Sequence, residues 1–478
     1  MVALAFALYF VLILAVGALT ARRSSRSVSD FFLGGRRMGS WVVALSAVAS
    51  GRSAWLVLGL SGMAYANGVS AVWASVGYIV VELFLFLFLG RRLRAFTGER
   101  GDITLPDFLE SRFASPALRV ISVVVLLAFL TTYIGAQMLG GGKAFLGSLN
   151  MPQAWGVVLT AGIVFLYTIV GGFYAVSYTD VIQALFMILG LVVLPVVALV
   201  HHGGIHPILE TLRDSDPGLV DPWAMGVGAA IGFLGIGLGS PGNPHILVRY
   251  MSARDTDILR KSALIGTIWN VAMAWGAVLV GLVGRKMFPM ASDLPNSDPE
   301  NLYSVIAQSY FPQFLFGLVM AAVFAAIMST VDSQLLVAAS AVARDIYQRF
   351  WGRRANERVM VWLSRGSVVL ITAVALLLGY LGRNSQLVFW FVLLAWAGLG
   401  AAFGPVVILG LYWRRATAPG AIAGMLVGAI TVFAWKLSGL SRFIYELVPG
   451  FILAAAAVFI FSFFKKSANN AQKGDRLR

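Results

Sequence analysis

The chain has 478 residues, of which 59% are hydrophobic and only 12% are charged, and its formal net charge is +15. A soluble domain carries about 25% charged residues, so the composition excludes a soluble globular protein and predicts an integral membrane protein. Cysteine is absent, which excludes disulfides, thiolate metal sites and thiol nucleophiles. The apolar runs are apolar on both faces, which excludes an outer-membrane β-barrel.

Apolar runs long enough to cross about 30 Å of hydrocarbon as helices recur along the chain. The first run is followed, not preceded, by basic residues, so we interpret it as a retained helix rather than a secretory signal. In chain order we predict thirteen transmembrane helices: helix 1 (2–20), helix 2 (41–64), helix 3 (69–90), helix 4 (120–142), helix 5 (153–170), helix 6 (178–200), helix 7 (224–241), helix 8 (263–284), helix 9 (312–343), helix 10 (363–382), helix 11 (386–412), helix 12 (418–436) and helix 13 (445–464). Residues 1–464 thus form a single transmembrane domain, and 465–478 a short basic tail.

The basic residues indicate the orientation in the membrane. Of the 36 Lys and Arg residues, 28 lie after the odd-numbered helices, the tail and Arg365 at the start of helix 10 included, and seven, among them Lys436 at the end of helix 12, lie on the other side. The remaining one, Arg52, lies inside helix 2. Cytoplasmic loops carry the excess of Lys and Arg, so we expect the N-terminus outside, the C-terminus in the cytoplasm and residence in the inner (plasma) membrane. This topological role of the positive charge gives no reason to expect a nucleic-acid partner.

Two of the helices contain interruptions. Helix 2 includes the small and polar stretch 46–55, and helix 7 includes the Gly- and Pro-rich stretch 235–244. Such stretches are tolerated at membrane depth only where the freed backbone groups find protein or water partners. Interrupted helices five positions apart predict two inverted five-helix repeats, about 41–200 and about 224–412, with a binding site at the midplane. We expect both stretches to be unwound and to border a common site with 326–333.

Helix 9 carries a group of oxygen-bearing side chains. Ser329 and Ser333 are four residues apart, and Asp332 is three residues from Ser329, so the three share one helical face. Hard oxygen ligands of this kind suit a small alkali cation. Hydroxyl groups alone also join membrane helices to one another, but the presence of Asp332 favours a cation site.

At these residues the sequence resembles the sodium/solute symporter family, and most closely the sodium/proline symporters. The resemblance covers nearly the whole chain, and the joint occurrence of its motifs in order makes it specific. The motifs are Phe32-Leu-Gly-Gly-Arg36, Ser53-Ala-Trp-Leu-Val-Leu-Gly59, Ile103-Thr-Leu-Pro-Asp-Phe108, Gly171-Gly-Phe-Tyr-Ala-Val-Ser-Tyr-Thr-Asp-Val-Ile-Gln183, Pro244-His-Ile-Leu247, Met328-Ser-Thr330 with Ser333-Gln-Leu-Leu336, and Ala395-Trp-Ala-Gly-Leu-Gly-Ala-Ala-Phe-Gly-Pro405.

The resemblance implies an all-α, leucine-transporter-like fold and the sodium-driven import of proline or a similar amino acid by alternating access. It implies a sodium ion between helices 2 and 9 and, in some relatives, a second cation near helices 6 and 9. The corresponding sodium ligands are the main-chain carbonyls of Ala49, Arg52 and Ala326 and the hydroxyls of Ser329 and Thr330. The residues that match the second cation region are Asp180, Ser333 and Asp332. The solute contacts correspond to Ser53, Trp55, Gly59, Tyr133, Ile236, Ser240 and Pro244.

One departure from the family concerns charge. Gly51 and Arg52 stand where the proline symporters usually carry an Asp-Met pair. A charge at mid-bilayer costs roughly 3 kcal/mol on insertion scales, so Arg52 requires an interior acidic partner. We predict a pair with Glu82, where the proline symporters have a small apolar residue; Asp332 and water in a vestibule are the alternatives. A fixed charge near the sodium site also leaves open a proton-coupled or ion-independent transporter in which Arg52 replaces sodium.

The second departure concerns the solute. Ile236 and Ser240 stand where the proline symporters present large aromatic side chains, so we expect a wider cavity. Half-helix amino termini favour a carboxylate on the solute. Proline is therefore one candidate, and another amino acid or a small carboxylate stays open.

Other functional classes are less consistent with the sequence. An intramembrane enzyme needs a His or paired carboxylates within hydrogen-bond reach, whereas Glu82, Asp180 and Asp332 fall on separate helices. We expect no catalysis and no cofactor other than sodium as coupling ion. A solute sensor on a transporter scaffold stays open. The expected partners are the small solute, Na⁺ or H⁺ and the lipid bilayer, and the sequence leaves the oligomeric state open.

Overall fold

The structure is a computed structural model that describes residues 1–24, 27–351, 357–381 and 388–475. Within these ranges the chain is helical and contains no β-strand; one isolated bridge joins Met38 and Ala253. Nine described helical stretches are long and apolar enough to cross a membrane, and one of them, Ser40–Arg100, spans helices 2 and 3. Shorter apolar helices coincide with helices 5, 7 and 13. The number of thirteen crossings stays a prediction.

The observed helices overlap the predicted spans, with ends that differ by several residues in either direction. Their bounds are Val2–Ser24 for helix 1, Val72–Phe84 to Gly90–Arg100 for helix 3, Pro116–Leu149 for helix 4, Gln153–His201 for helices 5 and 6, Ile258–Met287 for helix 8, Gln313–Ser340 and Ala341–Gln348 for helix 9, Glu357–Leu381 for helix 10, Val388–Tyr412 for helix 11, Ala418–Leu437 for helix 12 and Leu447–Asp475 for helix 13. Predicted residues 382, 386–387 and 476–478 lie outside the described residues. Helices 5 and 6 form one helical stretch in which Gly172, with φ +56° and ψ −168°, leaves the helical conformation, and a positive φ of this kind suits glycine.

Helix 2 is interrupted at one residue rather than over the whole expected stretch. It consists of Ser40–Ala54, Trp55–Gly59 and Leu60–Asn67, and only Ser53, with φ +53° and ψ −174°, leaves the helical conformation. The backbone N–H of Trp55 donates to the Ser53 hydroxyl at 3.1 Å. The N–H of Ala54 donates to the side-chain oxygen of Gln137 in helix 4 at 3.0 Å. These contacts satisfy the backbone groups that the break releases.

Helix 7 is interrupted over a longer stretch. It begins as Val227–Leu234, narrows to a 3₁₀ helix over Gly235–Gly242, becomes extended at Asn243 and resumes as Pro244–Met251. A side chain at Gly237 would collide with the backbone of helix 3, because a Cβ there would lie 2.2 Å from the carbonyl oxygen of Gly77. The glycines of this segment therefore allow helix 7 to pack closely on its neighbours.

Helix 9 forms the centre of the bundle. It packs against helices 1, 2, 4 and 6, and its residues from Met320 to Leu336 are all buried. A helix enclosed in this way can carry polar side chains at membrane depth only if they find partners on adjacent helices. The Ser329 and Thr330 hydroxyls contact carbonyl oxygens of helix 2, and the Ser333 hydroxyl contacts Arg249 in the resumed part of helix 7.

Candidate functional site

Oxygen atoms of helices 2 and 9 converge one turn before the break at Ser53. The Ser329 hydroxyl lies 3.2 Å from the carbonyl oxygen of Ala49, and the Thr330 hydroxyl lies 3.1 Å from that of Ser50. Both hydroxyls also lie within 3.2 Å of the carbonyl oxygen of Ala326. All these groups are neutral oxygens, which are ligands that a hard monovalent cation accepts.

The main-chain carbonyl of Arg52, which the sequence predicts as a sodium ligand, instead makes a hydrogen bond within helix 2. Its oxygen accepts the N–H of Trp55 at the break. The Ser50 carbonyl, by contrast, contacts Thr330 although it was not among the predicted ligands. No sequence signal distinguishes Ser50, since every residue of helix 2 offers a carbonyl oxygen and only the helix packing selects among them.

A second polar cluster lies beside these oxygens and contains two of the residues predicted for a second cation. The Asp180 carboxylate accepts hydrogen bonds from the hydroxyls of Ser46 at 2.5 Å and Ser50 at 3.1 Å. The Ser333 hydroxyl lies 3.0 Å from that of Ser50. Asp332 borders the cluster through a 3.0 Å contact with the Ser333 hydroxyl.

Arg249 occupies the middle of this cluster. Its guanidinium forms an ion pair with Asp180 at 3.1 Å and donates to the hydroxyls of Ser50 and Ser333. The side chain is 1% exposed. The sequence predicts that helix 7 ends at residue 241, which places Arg249 among the cytoplasmic loop residues. Pro244 is the sequence signal that could have placed Arg249 inside the bundle. Proline is favoured in the first turn of a helix, so Pro244 marks the point where helix 7 resumes.

Arg52 has a comparable environment on the other side of helix 2. Its guanidinium forms a buried ion pair with Glu82, and its Nε donates to the side-chain oxygen of Asn270 at 2.8 Å. The Asn270 amide donates in turn to Glu82 at 2.6 Å. The guanidinium also lies 4.0 Å from the ring centre of Tyr78, a cation–π contact. The carboxylate that pairs with Arg52 is thus Glu82 and not Asp332.

A small cavity of about 10 Å³ borders Arg52 and the break. Four of the predicted solute contacts line it: Ser53, Trp55, Tyr133 and Ile236. Sequence reasoning missed the other walls, which helices 3 and 11 supply: Tyr78, Val392, Leu393 and Trp396. The indole N–H of Trp396 donates to the Ile236 carbonyl at 2.8 Å and so joins helix 11 to the interrupted part of helix 7.

The other predicted solute contacts lie away from this cavity. Gly59 lines a larger vestibule of about 590 Å³ at the Asn67 end of helix 2, which also touches Ile236 and Leu393. Pro244 lines a separate cavity of about 20 Å³ toward the opposite face. Ser240 is buried and does not line any of these three spaces.

The opposite face is closed by ion pairs. Arg119 bonds to Asp107, Asp345 and Glu110, and Arg349 pairs with Glu110 at 2.7 Å. Burial opposes ionisation of Glu110, but the hydrogen bonds from Arg349 and Arg119 outweigh it and hold the pKa of this carboxyl below its usual value. These contacts connect the helix Leu105–Phe113 to helices 4 and 9. The cavity at the break shares Ile236 and Leu393 with the vestibule and so adjoins the vestibule side.

Comparison with known proteins agrees with these features. The osmoregulated proline transporter OpuE of Bacillus subtilis is 38% identical over 465 residues, which cover 96% of this chain and 94% of that protein. The sodium/proline symporter of Escherichia coli is 36% identical over 460 residues, which cover 95% and 91% of the two chains. Both similarities extend over nearly the full length.

The fold resembles a solved structure of a Na⁺-coupled sialic acid symporter in its substrate-bound, outward-open state. The TM-score is 0.82 at 21% identity, and the match covers 97% of each chain. The predicted all-helical, leucine-transporter-like architecture is thereby confirmed. The sequence profile of the sodium:solute symporter family matches residues 31–428. The chain belongs to the sodium:solute symporter family.

Proposed function

We propose that the protein imports proline or a similar small amino acid together with sodium by alternating access. The observation that carries this proposal is the convergence of the Ala49 and Ser50 carbonyls with the Ser329 and Thr330 hydroxyls, one turn from a cavity at the break in helix 2. The family, the proline transporters among the relatives and the Na⁺-coupled symporter with the same fold all support it.

The geometry suggests how sodium and solute are coupled. An ion held by the oxygens of helices 2 and 9 ties Ala49 and Ser50 to helix 9. This fixes the position of Ser53, which lines the solute cavity a few residues further on. Binding of either ligand then strengthens binding of the other, as thermodynamic linkage requires. The ion pair with Glu82 offsets the charge of Arg52, so Arg52 leaves the sodium site usable.

The charge distribution supports the orientation. The closed face with Arg119 and Arg349 carries the basic segments assigned to the cytoplasm. The vestibule of about 590 Å³ then opens outward. Solute and sodium enter from the vestibule side, and the inner ion pairs open for their release.

The test is uptake of labelled L-proline into proteoliposomes that contain the purified protein, with sodium replaced by potassium at fixed pH and membrane potential. We expect accumulation above the external concentration only with an inward sodium gradient. Thr330→Val keeps the side-chain shape and removes one proposed ligand, so it should raise the half-saturating sodium concentration about 10- to 100-fold. Equal uptake with and without sodium would refute sodium coupling.

A further inference from the structure

The guanidinium of Arg52 is held rigidly at the wall of the solute cavity. Glu82, Asn270 and the ring of Tyr78 contact it on the sides that face helices 3 and 8. The residue is 2% exposed and lines the cavity beside Ser53. A buried side chain with this many contacts has little freedom to move and is preorganised for recognition.

Part of the guanidinium remains available to a ligand. Its contacts engage Nε and Nη2, whereas Nη1 has no hydrogen-bond acceptor among the described residues. An arginine has five N–H donors in a planar fork. The indole nitrogen of Trp55, a second donor in the cavity wall, is buried and likewise has no acceptor in the described part of the chain.

The cavity is therefore rich in donors and poor in acidic groups. None of the described residues that line it is an Asp or a Glu, and Glu82, the carboxylate that contacts Arg52, is already paired with Arg52 and Asn270. Buried donors without an acceptor are unfavourable, and a ligand that supplies acceptors recovers that loss. A carboxylate fits a guanidinium edge with two parallel hydrogen bonds.

We infer that Arg52 binds the carboxylate of the transported solute and restricts transport to small carboxylate-bearing compounds. This inference rests on the proposed function and adds the group on the solute that is recognised. The cavity of about 10 Å³ holds about one water molecule, so the solute widens it on entry. Ile236 and Leu393, which border both the cavity and the vestibule, form the wall that moves.

The test measures thermal stabilisation of the purified full-length protein by matched pairs of acids and amides: L-proline with L-prolinamide, and L-alanine with L-alaninamide. Wild-type protein should bind its preferred acid on the order of 100-fold more tightly than the matching amide. Arg52→Met with Glu82→Gln removes both charges and keeps an acceptor for Asn270. In this double variant the preference should fall below about tenfold.

Two controls separate recognition from folding. Sodium alone should still raise the unfolding temperature of the double variant, because the proposed ion ligands are unchanged. Arg52→Lys keeps the charge without the planar fork, and its acid preference should lie between those of the wild type and the double variant.

The outcomes separate this inference from the proposed function. Wild-type protein that is stabilised by neither acid, or equally by acid and amide, overturns the inference, as does a double variant that keeps the full preference. Sodium-driven accumulation without any acid preference would refute the role of Arg52 alone. An acid preference without sodium-driven accumulation would refute the proposed function alone.

Discussion

Two buried arginines lie on opposite sides of helix 2, and each is paired with one carboxylate. Arg52 and Glu82 are surrounded by an amide and an aromatic ring, with the solute cavity beside them. Arg249 and Asp180 are surrounded by the hydroxyls of helices 2 and 9, next to the proposed sodium ligands. The same kind of buried ion pair therefore lies beside two different proposed sites, one for the solute and one for sodium.

The two ion pairs differ in their connection to the proposed sodium ligands. Ser50 donates to Asp180 through its side chain and offers its carbonyl to Thr330, so the pair of Arg249 and Asp180 is directly connected to the ion ligands. Within the described part of the chain, the contacts of the Arg52 and Glu82 side chains include no such shared residue. We therefore expect changes to Arg249 and Asp180 to alter sodium binding, and changes to Arg52 and Glu82 to alter solute binding.

The largest expected effect is on stability when one charge of a pair is removed. Asp180→Asn and Glu82→Gln each leave a buried guanidinium without its anion, which should lower the free energy of unfolding by about 3–5 kcal/mol. Arg52→Met added to Glu82→Gln should recover most of the loss. Arg249→Met added to Asp180→Asn should recover less, because three hydroxyls lose charged partners. Thermal unfolding of the purified variants measures this, and equal recovery would remove the distinction.

The next largest effect is on the sodium dependence of uptake, which should differ between double variants of the two pairs. Arg249→Met with Asp180→Asn should raise the half-saturating sodium concentration by about tenfold or more, because Ser50 loses its hydrogen-bond partner beside the ion site. Arg52→Met with Glu82→Gln should change it by less than about threefold. Titrations of uptake with sodium at saturating solute give both values. The reverse order would mean that Arg52, not Arg249, acts on the ion.

Two serines one turn apart on helix 9 provide a finer comparison. Ser329 contacts the Ala49 carbonyl, whereas Ser333 contacts Arg249. Ser329→Ala should weaken sodium binding by about tenfold, and Ser333→Ala by about threefold or less, since only the first removes a proposed ligand. Sodium-dependent thermal stabilisation of each variant measures the effect. Equal losses would place the ion between the two serines.

The last comparison concerns the break itself. At Ser53 the φ of +53° favours glycine, while the hydroxyl accepts the N–H of Trp55. Ser53→Ala should lower stability by about 1–2 kcal/mol, because it loses the hydrogen bond and keeps the strain. Ser53→Gly loses the same bond but relieves the strain, so it should be more stable than Ser53→Ala by about 1 kcal/mol. Unfolding in detergent compares the two, and an equally stable pair would show that the strain is negligible.

The sequence predicts only some of the buried ion pairs between residues that are far apart in the chain. The rarity of charge at membrane depth pointed to a partner for Arg52 but left Glu82, Asp332 and water as alternatives, and the helix packing places Glu82 beside it. Arg249 gave no such signal, since it follows a Gly- and Pro-rich stretch and resembles a loop residue. The sequence also does not predict that Trp396 lines the cavity at the break, because aromatic side chains occur throughout a membrane bundle.

The sequence by itself determined the membrane class, the helices and the interruptions at 46–55 and 235–244, because hydrophobic length and Gly or Pro content are local properties. Only the tertiary structure decided that the first interruption narrows to Ser53, that Arg249 is buried against Asp180, and that helix 11 closes the cavity. These features depend on contacts between helices far apart in the chain. Such contacts follow from the close packing of the whole bundle, which no local pattern encodes.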